Sequence, residues 1–344
     1  MFIRDEEKMN RNITNIIEDM LHVPCLQCEN IVSESDLYNY ILSCVLSSKY
    51  RKTKADQCTI NSLKEKIFDA VNGKKPLEFT IPFGAYKGWK LPTYPEPDWA
   101  EVFNIRHIID YLLPLAMVYK WGVIVYYTFQ DNIMHEISNL PKENFEFYEK
   151  TFLRLLEYYN SKLNGMKFEM FSIRNLYTSD EEYFDDYKKG FEYNLKHWDE
   201  KYSEEERNKK VNSAKNNLAR KGIIDYSSLS DDEWEKKCII SAMQTDAVDC
   251  LYWRREFNKK SRRMQLVFVR GPENSIHIGS CLTSTAHFWA GTGVLEYNKK
   301  LLPRILPQNK YVSLTMENKL EKYKLQNVLS DISKNYSYIE LINY

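Results

Sequence analysis

Lys87, Asp98 and Glu101 are the first residues in this sequence whose types and spacing could do chemistry together. An amine in a loop rimmed by Tyr86, Trp89 and Tyr94 loses part of its hydration, which suits it to Schiff-base formation or to holding an anion. Lys90 adds a second cation to the same loop. Asp98 and Glu101 stand at capping-box spacing, so a helix start accounts for both without chemistry. The neighbouring lysine makes them candidates for binding an amine or moving its proton. A second set of groups lies further along, with His277 inside Ser275-Ile276-His277-Ile278-Gly279-Ser280 and His287 inside Ser284-Thr285-Ala286-His287-Phe288-Trp289. A lone histidine is commonly a satisfied core group, but an imidazole also serves as acid or base near neutrality. Around these two, Arg270, Ser275, Ser280, Thr283 and Ser284 supply the hydroxyls and the guanidinium that a phosphate or sugar phosphate needs.

The elements that position the first set run from Leu77 to Asp131. Leu77 to Pro82 reads as a short strand, and the loop after it, with two glycines between Pro82 and Pro92, has to lie on the surface. Asp98 then caps a helix running to about Tyr119, Gly122 ends it, and Val123 to Phe129 reads as a buried strand whose polar exit is Gln130-Asp131-Asn132. In open α/β sheets, sites form where strands end and helices begin. One such place holds Lys87, Lys90, Asp98 and Glu101, and another ends at Asp131.

The same alternation extends outward. Helices are predicted over 1–22, from Ser33–Asp36 to Val45, and over Thr59–Ala70 before the first strand. After Asp131 come a helix from Asn144 to about Leu163 and a strand from Lys167 to Ile173. Between Tyr177 and Glu235 charge dominates, which predicts exposed helices forming an insertion or a lid, or else a solvated hairpin with no part in chemistry. A long helix from Asp231 to Phe257, strands at Gln265–Val269 and Ser275–Ser280, a final strand near Tyr311–Leu314 and a charged helix from about Glu317 complete the chain. The pattern predicts a Rossmann-like α/β fold, a mostly parallel sheet with helices on both faces, and one continuous domain over 1–344 with 177–235 inserted in it.

Composition and missing motifs narrow the function. Across 344 residues, 48 basic and 48 acidic side chains cancel, so nothing pulls the whole chain toward nucleic acid or anionic lipid. The apolar stretch from Ile108 to Phe129 is interrupted by Asp110, Pro114 and Lys120 and parses as helix plus strand, so no membrane span is expected. Seven cysteines and no secretory leader predict a reduced, cytoplasmic protein. Cys25 and Cys28 form a CxxC that could be a zinc or redox pair, but with no second pair at ligand spacing no metal is expected. The Gly-x-Gly-x-x-Gly, Walker and Gly-x-Ser-x-Gly motifs are all missing, which argues against nicotinamide-type dinucleotide enzymes, P-loop hydrolases and ordinary α/β-hydrolases.

The order of these segments resembles a known family. Lys75-Pro76-Leu77-Glu78-Phe79-Thr80-Ile81-Pro82-Phe83, then Lys87, Pro97-Asp98-Trp99-Ala100-Glu101, and Tyr119 to Val125 with Asp131 are similar to the pyoverdine/dityrosine biosynthesis family, which contains the isonitrile synthases. Ser275-Ile276-His277 and, loosely, His287 match its C-terminal strand and histidine, and Gln130-Asp131-Asn132 stands where the family has Ser-Asp-Gly. The resemblance covers about 60–160 and 236–295. It implies a cofactor-free, metal-independent condensation of an α-amino acid with a pentulose phosphate such as ribulose 5-phosphate. On that reading Lys87 and Arg270 hold the anion, Asp98, Glu101 and Asp131 serve the amine or its protons, and His277 and His287 act as acid and base. The expected partners are those two small molecules, with a homodimer compatible. A transferase on another amino acid or sugar phosphate, and a catalytically silent binding protein, are the rival readings.

Overall fold

The structure is a computed structural model that describes residues 6–24, 34–84, 87, 96–129, 137, 141–218, 228–255, 261–268, 274–284, 286–326 and 329–343. Lys90, Asp131, Arg270 and the Cys25/Cys28 pair lie outside the described residues.

The centre is a five-stranded sheet in the order β3-β2-β1-β4-β5, with β1 Leu77–Phe83, β2 Val123–Phe129, β3 Met166–Ser172, β4 Met264–Val267 and β5 Ser275–His277. All four neighbouring pairs are parallel. This is the doubly wound Rossmann-like order, in which winding reverses between β1 and β4. Pro82 fits inside a central strand because the β1–β4 ladder covers Phe79↔Met264 and Thr80↔Gln265 and stops before it.

Strand periodicity splits the sheet into two unlike faces. Phe79, Ile81, Phe83, Val125, Tyr127 and Leu266 are buried in the main core. That face is covered by α4 (Trp99–Val118) and α5 (Lys142–Asn160), as the Tyr127–Asn104 hydrogen bond and the Phe83–Phe152 ring contact record. α1 (Glu6–Leu21), α2 (Glu34–Val45) and α3 (Gln57–Asn72) add to the same core. The opposite face carries Glu78, Thr80, Thr128 and Gln265, all buried and all polar.

Between β3 and β4 lie α6 (Asp180–Lys201), α7 (Glu204–Leu218) and α8 (Asp231–Arg255). Trp198, Ala214, Ala242 and Met243 join the three in a small apolar cluster of their own.

The C-terminal part departs from expectation. A second, four-stranded sheet in the order β7-β6-β9-β8 is built from β6 Thr292–Asn298, β7 Lys300–Leu306, β8 Leu320–Lys324 and β9 Tyr338–Ile342. The stretch read as a strand near Tyr311–Leu314 is instead part of α9, Gln308–Met316, and the charged segment read as a helix after Glu317 contains β8. Pairing overrides local preference here: alternate residues of Leu-Glu-Lys-Tyr-Lys pack Tyr323 inward against β9 while the charges face solvent. The second sheet meets α4 where Trp99 Nε1 donates to the Tyr338 carbonyl at 2.7 Å.

Candidate active site

Asp98 caps α4 as its spacing predicts. Its Oδ1 accepts from Ala100 N at 2.8 Å, while Glu101 Oε2 reaches back to Asp98 N at 2.7 Å. These bonds leave lone pairs over, and α4 is too apolar to offer them water. Lys87 takes them: Nζ donates to Asp98 Oδ1 at 2.8 Å, to Glu101 Oε1 and Oε2 at 2.8 and 2.7 Å, and to the Phe288 carbonyl at 3.1 Å. Tyr148 on α5 adds a fourth side chain, donating to Glu101 Oε1 at 2.7 Å, and Gly293 N donates to Asp98 Oδ1 at 3.2 Å. Lys87 and Glu101 are each 0% exposed.

The lysine expected on a surface loop is therefore an interior ion. Paired this closely with two carboxylates, its ammonium has no valence to spare for a substrate anion, so the anion-holding role is corrected to a tethering one. Phe83, Phe152 and Phe288 pack beside the cluster, with Phe83 and Phe288 stacked at 5.4 Å and Phe83 and Phe152 tilted at 4.7 Å, next to the Tyr148 ring and the Phe288 carbonyl that bond it. Burial pushes the Glu101 carboxyl up to about 7, Lys87 pulls it back, and Asp98 adds to the push. At neutral pH this carboxyl is poised to hold or yield one proton.

The Phe288 carbonyl brings the histidine segment to the same place. The half-buried His287 stacks on Trp289 with ring centroids 4.5 Å apart, and Phe268, just past the end of β4, lies 6.4 Å from the His287 ring. Gly84, just past the end of β1, is needed for this packing, since a Cβ there would stand 2.2 Å from Trp289 Nε1. His277 joins through its Nε2, 3.1 Å from the Phe268 carbonyl. A carbonyl only accepts, so Nε2 carries the proton and Nδ1 of the neutral ring is the acceptor. Burial lowers both histidines, His287 to about 4 and His277 in the same direction. Neither is an imidazolium at neutral pH, so neither carries the extra proton that the expected acid role would need. Lys87, Phe268, His277 and His287 thus gather at the carboxyl ends of β1, β4 and β5, where the winding reverses.

The hydroxyls divide. Thr283 donates to the Pro303 carbonyl of β7, and Ser284 Oγ donates to the Cys281 carbonyl at 2.9 Å while accepting from Cys281 N at 3.1 Å, so the first is committed to the second sheet and the other to a turn. Ser280 is buried and its Oγ meets no partner among the described residues. Ser275 is half-buried on β5, in register with Gln265.

Several polar residues at this core escaped the sequence reading. Asn104 and His107 follow Glu101 on α4 at three-residue steps. Asn104 Nδ2 donates to the Ser280 carbonyl at 2.7 Å and its Oδ1 accepts from Tyr127 at 2.9 Å. His107 bonds the Ile278 backbone, and burial lowers it to about 4. The signal was there: an acid, an amide and an imidazole on one side of a helix with no polar face must all point inward. Tyr148, Thr80, Thr128 and Gln265 carried no such signal.

No family profile matches the chain, and no curated protein matches it either. Among solved structures it is similar to the PvcA protein from Pseudomonas aeruginosa, with a TM-score of 0.57 and 14% identity over 84% of this chain and 97% of that one. A CDPS from Fluoribacter dumoffii aligns with a TM-score of 0.30 and 12% identity over 57% of this chain and 77% of that one, too loosely to carry an argument. The likeness that carries weight is one of fold: nearly the whole of the PvcA chain is laid out as this one is, with little sequence in common.

Proposed function

We propose that this protein is an enzyme of the isonitrile synthase type, condensing an α-amino acid with a pentulose phosphate such as ribulose 5-phosphate in secondary metabolism. One observation carries the reading. Lys87, Asp98 and Glu101, the motif residues on which the family resemblance rests, share one cluster of 2.7–2.8 Å ion pairs. That cluster abuts the histidine segment, on a fold shared with PvcA.

The chemistry asks for a carbonyl that accepts an amine and for groups that move protons afterwards. The amino-acid nitrogen attacks the pentulose carbonyl, a C–N bond forms, and the carbonyl oxygen leaves as water once protonated, giving an imine. Proton shifts between imine and enamine forms then need bases that are neutral at working pH, which suits His277 and His287. Glu101, poised near neutrality beside the packed phenylalanines, is a proton reservoir, and Lys87 acts as a positioning residue that ties the loop after β1 to α4 and to the Phe288 carbonyl.

The complete burial of that cluster favours a second reading, in which it is a structural staple of a catalytically silent protein. Incubating the purified protein with the standard amino acids and ribulose 5-phosphate, and following masses, separates the two. Conversion of one amino acid to its isonitrile, lost in His287→Gln, supports the first reading; no consumption of any amino acid overturns it.

A further inference from the structure

The polar face of the parallel sheet holds an uncommitted set of hydrogen-bonding groups. Gln265, in the middle of β4, is 0% exposed, and neither Nε2 nor Oε1 of its amide meets a partner among the described residues. Leaving both halves of an amide unmet in an interior is strongly unfavourable, and groups left so in a native fold call for an explanation. Its neighbours are polar too. Register places Thr80 of β1 on one side of Gln265 and Ser275 of β5 on the other. Thr80 and Thr128 hydroxyls lie 2.6 Å apart on the same face. Val267 is in register with His277, so His277 also shares the face of Gln265, and its buried Nδ1 has no partner either.

The chemistry of the set limits what it can take. Its unmet groups are neutral: an amide donor, an amide acceptor and an imidazole acceptor. Among the described residues, the guanidiniums just before β4 are engaged, Arg262 with Glu78 at 2.8 Å and Arg263 against the Tyr126 and Phe171 rings at 3.9 and 4.1 Å. Donors and acceptors with no unpaired charge beside them among the described residues suit hydroxyls, each of which donates and accepts at once. They suit a carboxylate or ammonium poorly. The strands involved, β1 and β4, are the pair between which the winding reverses, where open α/β sheets bind ligands.

The geometry points to this face as the subsite for the polyhydroxylated carbon chain of the sugar substrate, with Gln265 as the residue that reads its hydroxyls. The inference rests on the proposed condensation only for the identity of that sugar. A Gln265→Met variant keeps the length of the side chain and removes both polar atoms.

Calorimetric titration of both proteins with ribulose 5-phosphate, ribose 5-phosphate and ribitol, alongside thermal melts without ligand, tests it. The expected result is binding by the unmodified protein, weakened about tenfold or more in Gln265→Met, with the ligand-free variant melting at an equal or higher temperature because an unmet amide has gone. Equal sugar binding by the two proteins, or binding of no polyhydroxylated compound by the unmodified one, overturns it. So does a variant that melts lower without ligand, since the amide would then have been holding the fold. If ribitol or ribose 5-phosphate binds through Gln265 and ribulose 5-phosphate does not, the subsite stands and the proposed condensation falls.

Discussion

Lys87 Nζ lies 2.7 Å from Glu101 Oε2 with neither side chain reaching solvent. An ion pair so placed is stable only while complete, because removing one partner strands the other's charge in a medium that solvates it badly. Lys87→Met leaves two buried carboxylates facing each other and is expected to lose about 3–5 kcal/mol of stability in denaturant titration. Adding Glu101→Gln to Lys87→Met should recover part of that loss. If the double variant is as unstable as the sum of the two single ones, the residues are not coupled and the cluster is misread.

The same cluster sets a pH dependence. Glu101 is raised in the folded state to about 7 from an ordinary 4.5, so between those values the folded chain holds a proton that the unfolded chain has released. Stability from this group is therefore fully present below about 4.5 and lost as pH rises toward 7. His107 and His287 act in the opposite sense: each is lowered to about 4 from 6.5, so stability from them is present above 6.5 and lost as pH falls toward 4. The unmodified protein should gain stability with pH between about 4.5 and 6.5 at roughly half the slope the two histidines would give alone, because Glu101 opposes them. Glu101→Gln removes the opposing slope, and its stability should then rise about twice as steeply across that window. A flat profile in Glu101→Gln would count against the histidine assignment.

Two glycines make contacts of different severity, and their alanine variants should rank accordingly. A Cβ on Gly293 would stand 2.2 Å from Ala100 N and 2.4 Å from the Trp99 carbonyl carbon, backbone atoms that begin α4 and cannot move without breaking its cap. At Gly84 the clash, also 2.2 Å, is with the Trp289 indole, which can turn away. Gly293→Ala is expected to abolish soluble expression or lower the melting temperature sharply. Gly84→Ala should fold, with altered tryptophan fluorescence and impaired turnover through the displaced His287. Equal melting temperatures for the two would refute the distinction.

What the sequence made legible follows the same physics. The parallel sheet was readable because β1 and β2 are largely apolar runs, β3 alternates, and the capping box at Asp98 and Glu101 formed as spaced to start the helix between the first two. The second sheet was not, because β6 and β7 meet at Lys299, in the left-handed region at φ 60, with Asn298 before it and no glycine to announce the turn. The site was half legible. Spacing brought out Lys87, Asp98 and Glu101, but a sequence does not say that a lysine between glycines will be drawn wholly inside. That follows from the packing of Phe83, Phe152 and Phe288 beside it, residues that are far apart in the chain. Gln265 was illegible for a plainer reason: in Met-Gln-Leu-Val it looks like the polar partner of an alternating strand, and only parallel pairing on both sides buries it.

One buried carboxylate ties together the three helices between β3 and β4, beside their shared apolar cluster. Asp246 on α8 accepts from Lys201 and Tyr202 at 2.5 Å each, from Lys210 at 2.8 Å and from Asn194 at 3.1 Å, joining α6 and α7 to α8. Burial alone would raise this carboxyl, but the donors from Lys201, Lys210 and Tyr202 hold it below its ordinary value, so its contribution is present above the normal carboxylate range and lost as pH falls through it. Asp246→Asn keeps the shape and removes the charge. Because the Lys201 and Lys210 side chains are 24% and 34% exposed, they can turn to water, and the loss should be about 1–3 kcal/mol, smaller than at Lys87. It should also be local. Hydrogen exchange is expected to quicken across α6 and α7 while β1 and β2 keep their protection, since the small cluster of Trp198, Ala214, Ala242 and Met243 is separate from the main core. Exchange that quickens equally in the sheet would mean that the helices and the sheet unfold as one unit, and that Asp246 is not a local latch.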